Sequence, residues 1–273
     1  MSAAPAMLRI GCLVVSLSAC HSEGGAAPAS SADASSPPPA VPPRAVGLAP
    51  LAPDGGWFQT FTDDAGVPTY VAAPTGATTR RPIVVGLHGA QDRPDWACAE
   101  WFGALGGRAF VVCPRGVPLA DGFAWSSVDQ IASKAEQAIA LVRDRFGRWV
   151  SDGRALYGGW SQAATLGALV LAKRPDLFDA GVLVELGHTP LDARAVASSI
   201  RQSGVRAVAV VCATASCERW CAAATPAMAG LAFECYSAGH RGHTFDGEVS
   251  KRVYDAVSFV EMGDPRWTPL LAP

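Results

Sequence analysis

Short apolar runs alternate with longer segments of helical period through most of the chain. Six runs predict strands because their apolar and β-branched residues continue without alternating polar positions: Ile83–Leu87, Ala109–Cys113, Ala155–Tyr157, Gly181–Glu185, Val205–Cys212 and Leu231–Tyr236. The spacing of apolar residues predicts helices between and after them: Trp96–Leu105, Val128–Phe146, Gln162–Lys173, Leu191–Gln202, Cys217–Met228 and Glu248–Glu261. Such alternation predicts an α/β fold, with a mostly parallel central sheet and helices on both faces.

Two further segments refine the predicted architecture. Residues 57–62 and 67–74 carry strand-forming residues on either side of the turn sequence at 63–66, which predicts a β-hairpin ahead of the alternating elements. Only Leu186–Pro190 separates the Gly181–Glu185 strand from its helix. Because this link is too short to hold an inserted domain, we expect no cap domain and an open site.

The first residues have the features of an export signal. Arg9 precedes an apolar run that is too short to span a membrane, and residues 17–20, LSAC, resemble the lipobox of bacterial lipoproteins. The resemblance implies a signal peptide over residues 1–19 and a mature N-terminus at Cys20 that carries lipid. An ordinary signal peptide is the alternative. Because His21 rather than Asp follows the cysteine, we expect an exported lipoprotein held at the outer membrane.

A segment of low complexity follows this signal. Residues 21–50 contain eight Ala, seven Pro, five Ser and three Gly. Such a segment buries too little apolar surface to offset the conformational entropy lost on folding. We therefore predict a disordered tether over residues 20–53 and one folded domain over residues 54–273.

Composition and charge narrow the partners of that domain. The chain is 49% hydrophobic and 17% charged, so a large core is expected, and its net charge of −2 argues against nucleic acid as a partner. The histidines lack an HExxH pattern, and no cysteine pair beside them has zinc-ligand spacing. We therefore expect a small-molecule substrate, no metal and no cofactor.

The most informative segment is YGGWSQA at residues 157–163, in which an apolar strand leads through Gly-x-Ser-x-Ala into a helix. Small residues around Ser161 allow a sharp turn that exposes its hydroxyl beside the free N–H groups of a helix N-terminus. The segment resembles the nucleophile elbow of α/β-hydrolases, and GWSQA is similar to GFSQG of their carboxylesterase branch, with Ala163 replacing the second glycine. The resemblance implies that Ser161 is a catalytic nucleophile; a helix N-cap serine is the alternative.

The same resemblance implies an oxyanion hole. The strand at 83–87 ends in His88-Gly89-Ala90, which is similar to the oxyanion loop of the family. A tetrahedral oxyanion needs two preorganised donors. These would be the backbone N–H groups of Gln162 and Ala90, with Gln91 as an alternative to Ala90. We expect the His88 ring to fix the loop rather than to take part in the reaction.

The general base should follow the last strand, where His240 and His243 are the candidates. The family's histidine usually lies in a Gly-His-x-Phe-like turn before the final helix. Residues 242–245, GHTF, match this turn, whereas Gly242 stands at the aromatic position after His240. We therefore favour His243 as the base and keep His240 as the alternative.

The acid of a Ser–His–acid triad is absent from the family's usual position, because residues 213–217 hold no carboxylate. Glu185 ends the preceding strand, where some α/β-hydrolases carry the acid, and a carboxylate is hard to explain otherwise at the end of an apolar strand. Glu218 begins the next helix, where an N-terminal dipole role would also explain it. We favour Glu185, with a structural salt bridge as its alternative role. Glu218 and then Asp192 follow.

Six cysteines fall in the predicted domain, an even number that suggests three disulfides in an exported protein. Cys98 on the first helix and Cys113 at the end of the next strand form one predicted pair. Cys212 and Cys217 flank one strand-to-helix loop, although Cys221 lies on the same helical face as Cys217 and could replace it. The pair Cys221–Cys235 then follows by elimination.

Together these residues predict a lipid-anchored serine hydrolase that cleaves carboxylic esters through an acyl-enzyme. Two alternatives stay open. A serine peptidase could share the fold, since fold alone does not define substrate. A binding protein on a degenerate hydrolase scaffold would explain the missing carboxylate. Phe123 and Trp125, in the loop after Cys113, would either line the site or pack within the loop.

Overall fold

The computed structural model describes residues 47–187 and 191–267. Their ten strands are β1 (Phe58–Thr62), β2 (Pro68–Ala72), β3 (Ile83–Leu87), β4 (Phe110–Pro114), β5 (Val117–Leu119), β6 (Gly122–Ala124), β7 (Ala155–Trp160), β8 (Phe178–Val184), β9 (Ala207–Cys212) and β10 (Ala232–Ser237). Eight of them form one sheet in the order β1-β2-β4-β3-β7-β8-β9-β10, and β5 pairs with β6 in a separate hairpin.

The central sheet is mostly parallel, as predicted. β1 and β2 form the expected antiparallel hairpin, and β2 is also antiparallel to β4. From β4 across to β10 all neighbouring strands are parallel. Every residue of β8 and of β9 is buried, which is why these strands, apart from Asp179 in β8, carry apolar or small residues on both faces.

Six helices of the described part of the chain cover the sheet: α1 (Pro94–Ala104), α2 (Val128–Phe146), α3 (Gln162–Lys173), α4 (Ala193–Ser203), α5 (Ala215–Ala224) and α6 (Gly247–Val260). Buried side chains of α2, α3, α4 and α5 share one apolar core with one face of the sheet, and those of α1 and α6 share a second core with the other face. The prediction of helices on both faces is confirmed. None of the helices in the described residues is both long and apolar enough to cross a membrane.

The largest difference from the sequence prediction lies at the start of the domain. The composition predicts a tether as far as residue 53, but residues 47–53 contact the folded domain. Leu51 is buried, its N–H donates to Ala77 O at 2.9 Å, and the Leu48 N–H donates to Thr78 O at 2.9 Å. The boundary at residue 54 is therefore too late. The Ala- and Pro-rich composition predicts disorder here because it does not reveal that one leucine is buried or that backbone groups pair with a distant loop.

Several other bounds also differ from the prediction. β7 continues to Trp160, three residues beyond the predicted strand, and α5 ends at Ala224, where a short 3-10 turn, Thr225–Met228, follows it. The β5–β6 hairpin has no counterpart in the prediction because each strand has only three residues. The eight residues that join β8 to α4 leave no room for a cap domain; His188 to Pro190, within this link, lie outside the described residues.

The six domain cysteines lie in the three predicted pairs. The Cα–Cα distances are 5.5 Å for Cys98–Cys113, 5.3 Å for Cys212–Cys217 and 6.4 Å for Cys221–Cys235, which are ordinary for disulfides. The bridges connect α1 to β4, β9 to α5, and α5 to β10.

Candidate active site

Ser161 lies in a sharp turn between β7 and α3. Its backbone has φ 53° and ψ −111°, a conformation that a non-glycine residue rarely adopts. The turn is so tight that a Cβ atom on Gly159 would lie only 2.7 Å from the Ala163 carbonyl oxygen. The Ser161 N–H donates to Val184 O at 2.8 Å, which attaches the turn to β8. The glycine at position 159 is therefore a steric requirement of this turn.

The His243 ring lies beside the Ser161 hydroxyl. Its Nε2 atom is 2.8 Å from Ser161 Oγ, within hydrogen-bond distance. The ring is stacked on the indole of Trp160, with centroids 4.7 Å apart and planes inclined by 20°. The last strand and the final helix therefore bring His243, rather than His240, to the serine.

Glu185 lies on the other side of the His243 ring. Its Oε2 atom is 3.4 Å from His243 Nδ1, a long hydrogen bond. Its Oε1 atom accepts hydrogen bonds from the backbone N–H groups of Ala213 and of Thr214, the second at 3.0 Å. The side chain is fully buried, and backbone donors on one oxygen offset part of the cost of burying the carboxylate.

Two loops meet in front of the Ser161 hydroxyl. Gln162 is the first residue of α3, where backbone N–H groups have no partner within the helix. The loop after β3 passes so close that a Cβ atom on Gly89 would lie 3.1 Å from Ser161 Cβ. Among the described residues, no backbone acceptor receives the N–H of Gln162 or of Ala90. Neither N–H group predicted for the oxyanion hole is therefore used in backbone pairing within these residues.

Solved structures of similar shape were found for this domain. FphF, a fluorophosphonate-binding serine hydrolase of Staphylococcus aureus with substrate bound, has a TM-score of 0.54 at 10% identity and covers 74% of this chain and 96% of that chain. A carboxylesterase from Mesorhizobium loti has a TM-score of 0.51 at 16% identity and covers 74% and 99%. TT1662 from Thermus thermophilus has a TM-score of 0.55 at 14% identity and covers 75% and 98%. The domain has the α/β-hydrolase fold.

No known protein family matches the sequence, and no curated protein matches it. The likeness to solved structures, at 10% to 16% identity, therefore establishes the α/β-hydrolase fold and not the activity. Among the described residues, no group of His, Cys, Asp and Glu side chains could hold a metal ion.

The alternative site residues have partners other than Ser161 and His243. Glu218 pairs with His240, with Oε2 and Nε2 3.0 Å apart, and it also accepts a hydrogen bond from the Ser237 hydroxyl at 2.8 Å. The hydrogen bond with His240, followed by that from Ser237, holds the pKa of Glu218 below its usual value. Asp192 caps the N-terminus of α4. All three candidates thus have structural partners of their own.

His88 is buried in the oxyanion loop. The Gly116 N–H donates to its Nε2 atom at 3.1 Å, so its Nδ1–H is the donor to Gly89 O, at 2.7 Å. Burial lowers the pKa of His88, the hydrogen bond to Gly89 opposes this only in part, and the ring stays neutral. Its contacts are those of a residue that fixes the loop.

Sequence reasoning missed how Gln162 and Trp125 hold the two loops together. The Gln162 side chain accepts from the Trp125 N–H at 2.8 Å and donates to the Trp125 carbonyl at 3.0 Å. The Trp125 indole N–H donates to His88 O at 2.9 Å, and its ring stacks on His88. Trp125 is buried, so it packs within the loop rather than lining an open pocket. A glutamine after a serine carries no signal for this contact.

Proposed function

We propose that this protein is a serine hydrolase that cleaves carboxylic esters, with Ser161 as nucleophile, His243 as general base and Glu185 as acid. The observation that carries the proposal is the continuous contact from Ser161 Oγ through the His243 ring to a buried Glu185 carboxylate. Nucleophile, base and orienting acid in this order are the arrangement of a catalytic triad.

The geometry supports a two-step reaction. His243 Nε2 accepts the proton of Ser161 Oγ as that oxygen attacks the ester carbonyl, and the N–H groups of Gln162 and Ala90 stabilise the oxyanion. The protonated ring, stabilised by Glu185, returns its proton to the leaving alcohol, and an acyl-enzyme remains. Water activated by His243 then attacks the acyl group, releases the carboxylic acid and restores the serine hydroxyl.

Esters are the substrate class that we propose. The eight residues between β8 and α4 hold no cap domain, so the site is open to small acyl groups. One protein of similar fold is named a carboxylesterase and another is named a fluorophosphonate-binding serine hydrolase. The proposal of a binding protein loses its main support, since a carboxylate does lie beside His243, although not after β9.

We further propose that lipid on Cys20 anchors this hydrolase at the outer membrane. The support is the lipobox-like sequence at residues 17–20 and the Ala- and Pro-rich segment that follows it. A tether of this composition would let the domain reach substrates away from the membrane surface. Residues 1–46 lie outside the described residues.

A fluorophosphonate probe tests the proposed activity directly. The purified protein should be labelled covalently at Ser161, and Ser161→Ala should not be labelled. His243→Ala should be labelled far more slowly, whereas His240→Ala, the matched control, should behave as wild type. Absence of labelling in folded wild-type protein, beside a labelled control hydrolase, would favour the binding protein. A panel of p-nitrophenyl esters and aminoacyl anilides should show turnover of esters; preference for anilides would favour the peptidase.

A further inference from the structure

The loop after β9 has no carboxylate of its own and instead binds the carboxylate of Glu185. Residues 213–217 contain no Asp or Glu. Instead, the backbone N–H groups of Ala213 and Thr214 both donate to Oε1 of Glu185, which comes from the neighbouring strand. The other oxygen of the same carboxylate faces His243. Because one oxygen is held by this loop, the position of the loop determines where the second oxygen points.

A disulfide closes this loop. Cys212 and Cys217 are five residues apart in sequence, and both are buried. Both donors to Glu185 lie between the two cysteines. The Thr214 hydroxyl caps α5 by accepting from the Cys217 N–H at 3.4 Å. The bridge therefore holds together the two ends of the segment that contacts Glu185.

The same loop is bonded to the turn that carries His243. The Ala238 N–H donates to Cys212 O at 2.7 Å, and the Arg241 N–H donates to Ala213 O at 3.0 Å. Glu185 and the His243 turn are thus both attached to one short loop. A shift of this loop would change the distance between the carboxylate and the ring.

We propose that the Cys212–Cys217 bridge is a positioning element of the candidate active site, which holds the loop so that Glu185 faces His243. The inference rests on the proposed function, because it assigns a consequence to the Glu185–His243 contact. Neither cysteine contacts a reacting atom; the bridge acts through Glu185. The Cys98–Cys113 and Cys221–Cys235 bridges enclose neither donor to Glu185.

Paired alanine variants test the role of the bridge. Cys212→Ala with Cys217→Ala should lower kcat for a p-nitrophenyl ester by about 100-fold with KM nearly unchanged, since a misplacement of about 1 Å costs on this order. The matched control is Cys221→Ala with Cys235→Ala, which removes a bridge from the same helix and should leave kcat near the wild-type value. Circular dichroism and thermal unfolding establish that each variant is folded.

A Glu185→Gln background distinguishes a role of the bridge in positioning Glu185 from a general loss of rigidity in the protein. There the loop no longer directs a charge at His243, so removal of the bridge should lower kcat far less than in the wild type. An equal fold-loss in both backgrounds, or an equal loss in the Cys221–Cys235 control, would overturn the inference. If the Cys212 and Cys217 alanine pair does not fold, a serine pair of similar size replaces it. If that pair also fails to fold, the bridge is a folding requirement and the inference is wrong.

Failure of the proposed function has a different signature. Wild-type ester turnover by Ser161→Ala would overturn the function itself. Turnover that requires Ser161 but does not respond to loss of the Cys212–Cys217 bridge would overturn only the positioning role.

Discussion

Backbone strain at single residues is concentrated at the candidate active site. Among the described residues, the non-glycine residues with positive φ are Gln91, Ser161 and Glu185, at 58°, 53° and 56°. Gln91 lies in the loop after β3, Ser161 is the proposed nucleophile and Glu185 is the proposed acid. Such conformations cost on the order of 1–3 kcal/mol each and persist only where the surrounding fold holds them. The fold therefore holds three strained residues in the segments that directly follow β3, β7 and β8.

The two candidate acids should respond differently to neutralisation. Glu185→Gln should lower kcat by several orders of magnitude, though less than Ser161→Ala, because an amide cannot stabilise the protonated His243 ring. Glu218→Gln is the matched control, since Glu218 contacts His240 and Ser237, and its kcat should stay near wild type. Steady-state ester hydrolysis measures both. A near-neutral Glu185→Gln beside a crippled Glu218→Gln would reverse the assignment of the acid.

Glu261, just after α6, should make the stability of the protein depend on pH. Its side chain is buried, and no described residue donates a hydrogen bond to its Oε1 atom. Burial raises the pKa of Glu261 to about 10, with nearby arginines opposing the shift. Between its ordinary pKa and this value, the folded state keeps a proton that the unfolded state releases. The contribution of Glu261 to the free energy of unfolding therefore falls as pH rises.

Glu261→Gln removes this titration and should be tested by thermal unfolding across that pH range. Its Tm should rise relative to the wild type as pH increases, with little difference in acid. Glu234→Gln, at an exposed position on β10, is the control and should run parallel to the wild type. Parallel curves of Tm against pH for Glu261→Gln and wild type would contradict the raised pKa of Glu261 in the folded state.

At the scale of elements, α3 packs so closely on β7 that one helical position requires glycine. A Cβ atom on Gly167 would lie 2.3 Å from a ring carbon of Tyr157, which is buried and donates its hydroxyl to Ala163 O at 2.6 Å. Gly167→Ala should therefore lower the free energy of unfolding by about 1–3 kcal/mol, the usual cost of overpacking.

Gly103 in α1 is the matched control for that substitution. A Cβ atom on Gly103 would have no contact within 4 Å, so Gly103→Ala should instead stabilise the protein by about 0.5–1 kcal/mol through helix propensity. Urea unfolding measures both changes. If both substitutions stabilise the protein, the close approach of α3 to β7 is wrong.

A comparison of predicted and observed bounds shows which elements the apolar pattern of the sequence defines. α2 and α3 have the predicted bounds because each combines helical periodicity with a clear start, Ser127 at the N-cap of α2 and the turn at Ser161 before α3. The sequence of the β5–β6 hairpin contains no such periodic pattern. It exists because it pairs with the oxyanion loop, where the Phe123 N–H donates to Asp92 O at 3.0 Å.

At the scale of the whole molecule, lipidation of Cys20 should determine whether the protein is found in the membrane fraction or in the soluble fraction. Cys20→Ala should move the protein from the membrane fraction to the soluble fraction and remove the mass of the attached lipid, while ester turnover by the domain stays unchanged. Fractionation and intact-mass spectrometry measure both. Equal fractionation and equal mature mass of wild type and variant would rule out the lipid anchor.

The sequence by itself determined the α/β alternation, the serine at the strand-to-helix turn and the histidine turn before the last helix. These are local features, since periodicity and turn chemistry act over a few residues. The tertiary structure decided which carboxylate faces His243 and which loops hold it. Glu185 and His243 are 58 residues apart in sequence, and their contact depends on the order of β8, β9 and β10 in the sheet and on a positive φ at Glu185. Side-chain direction at a strand end follows from such long-range packing, and no local pattern encodes it.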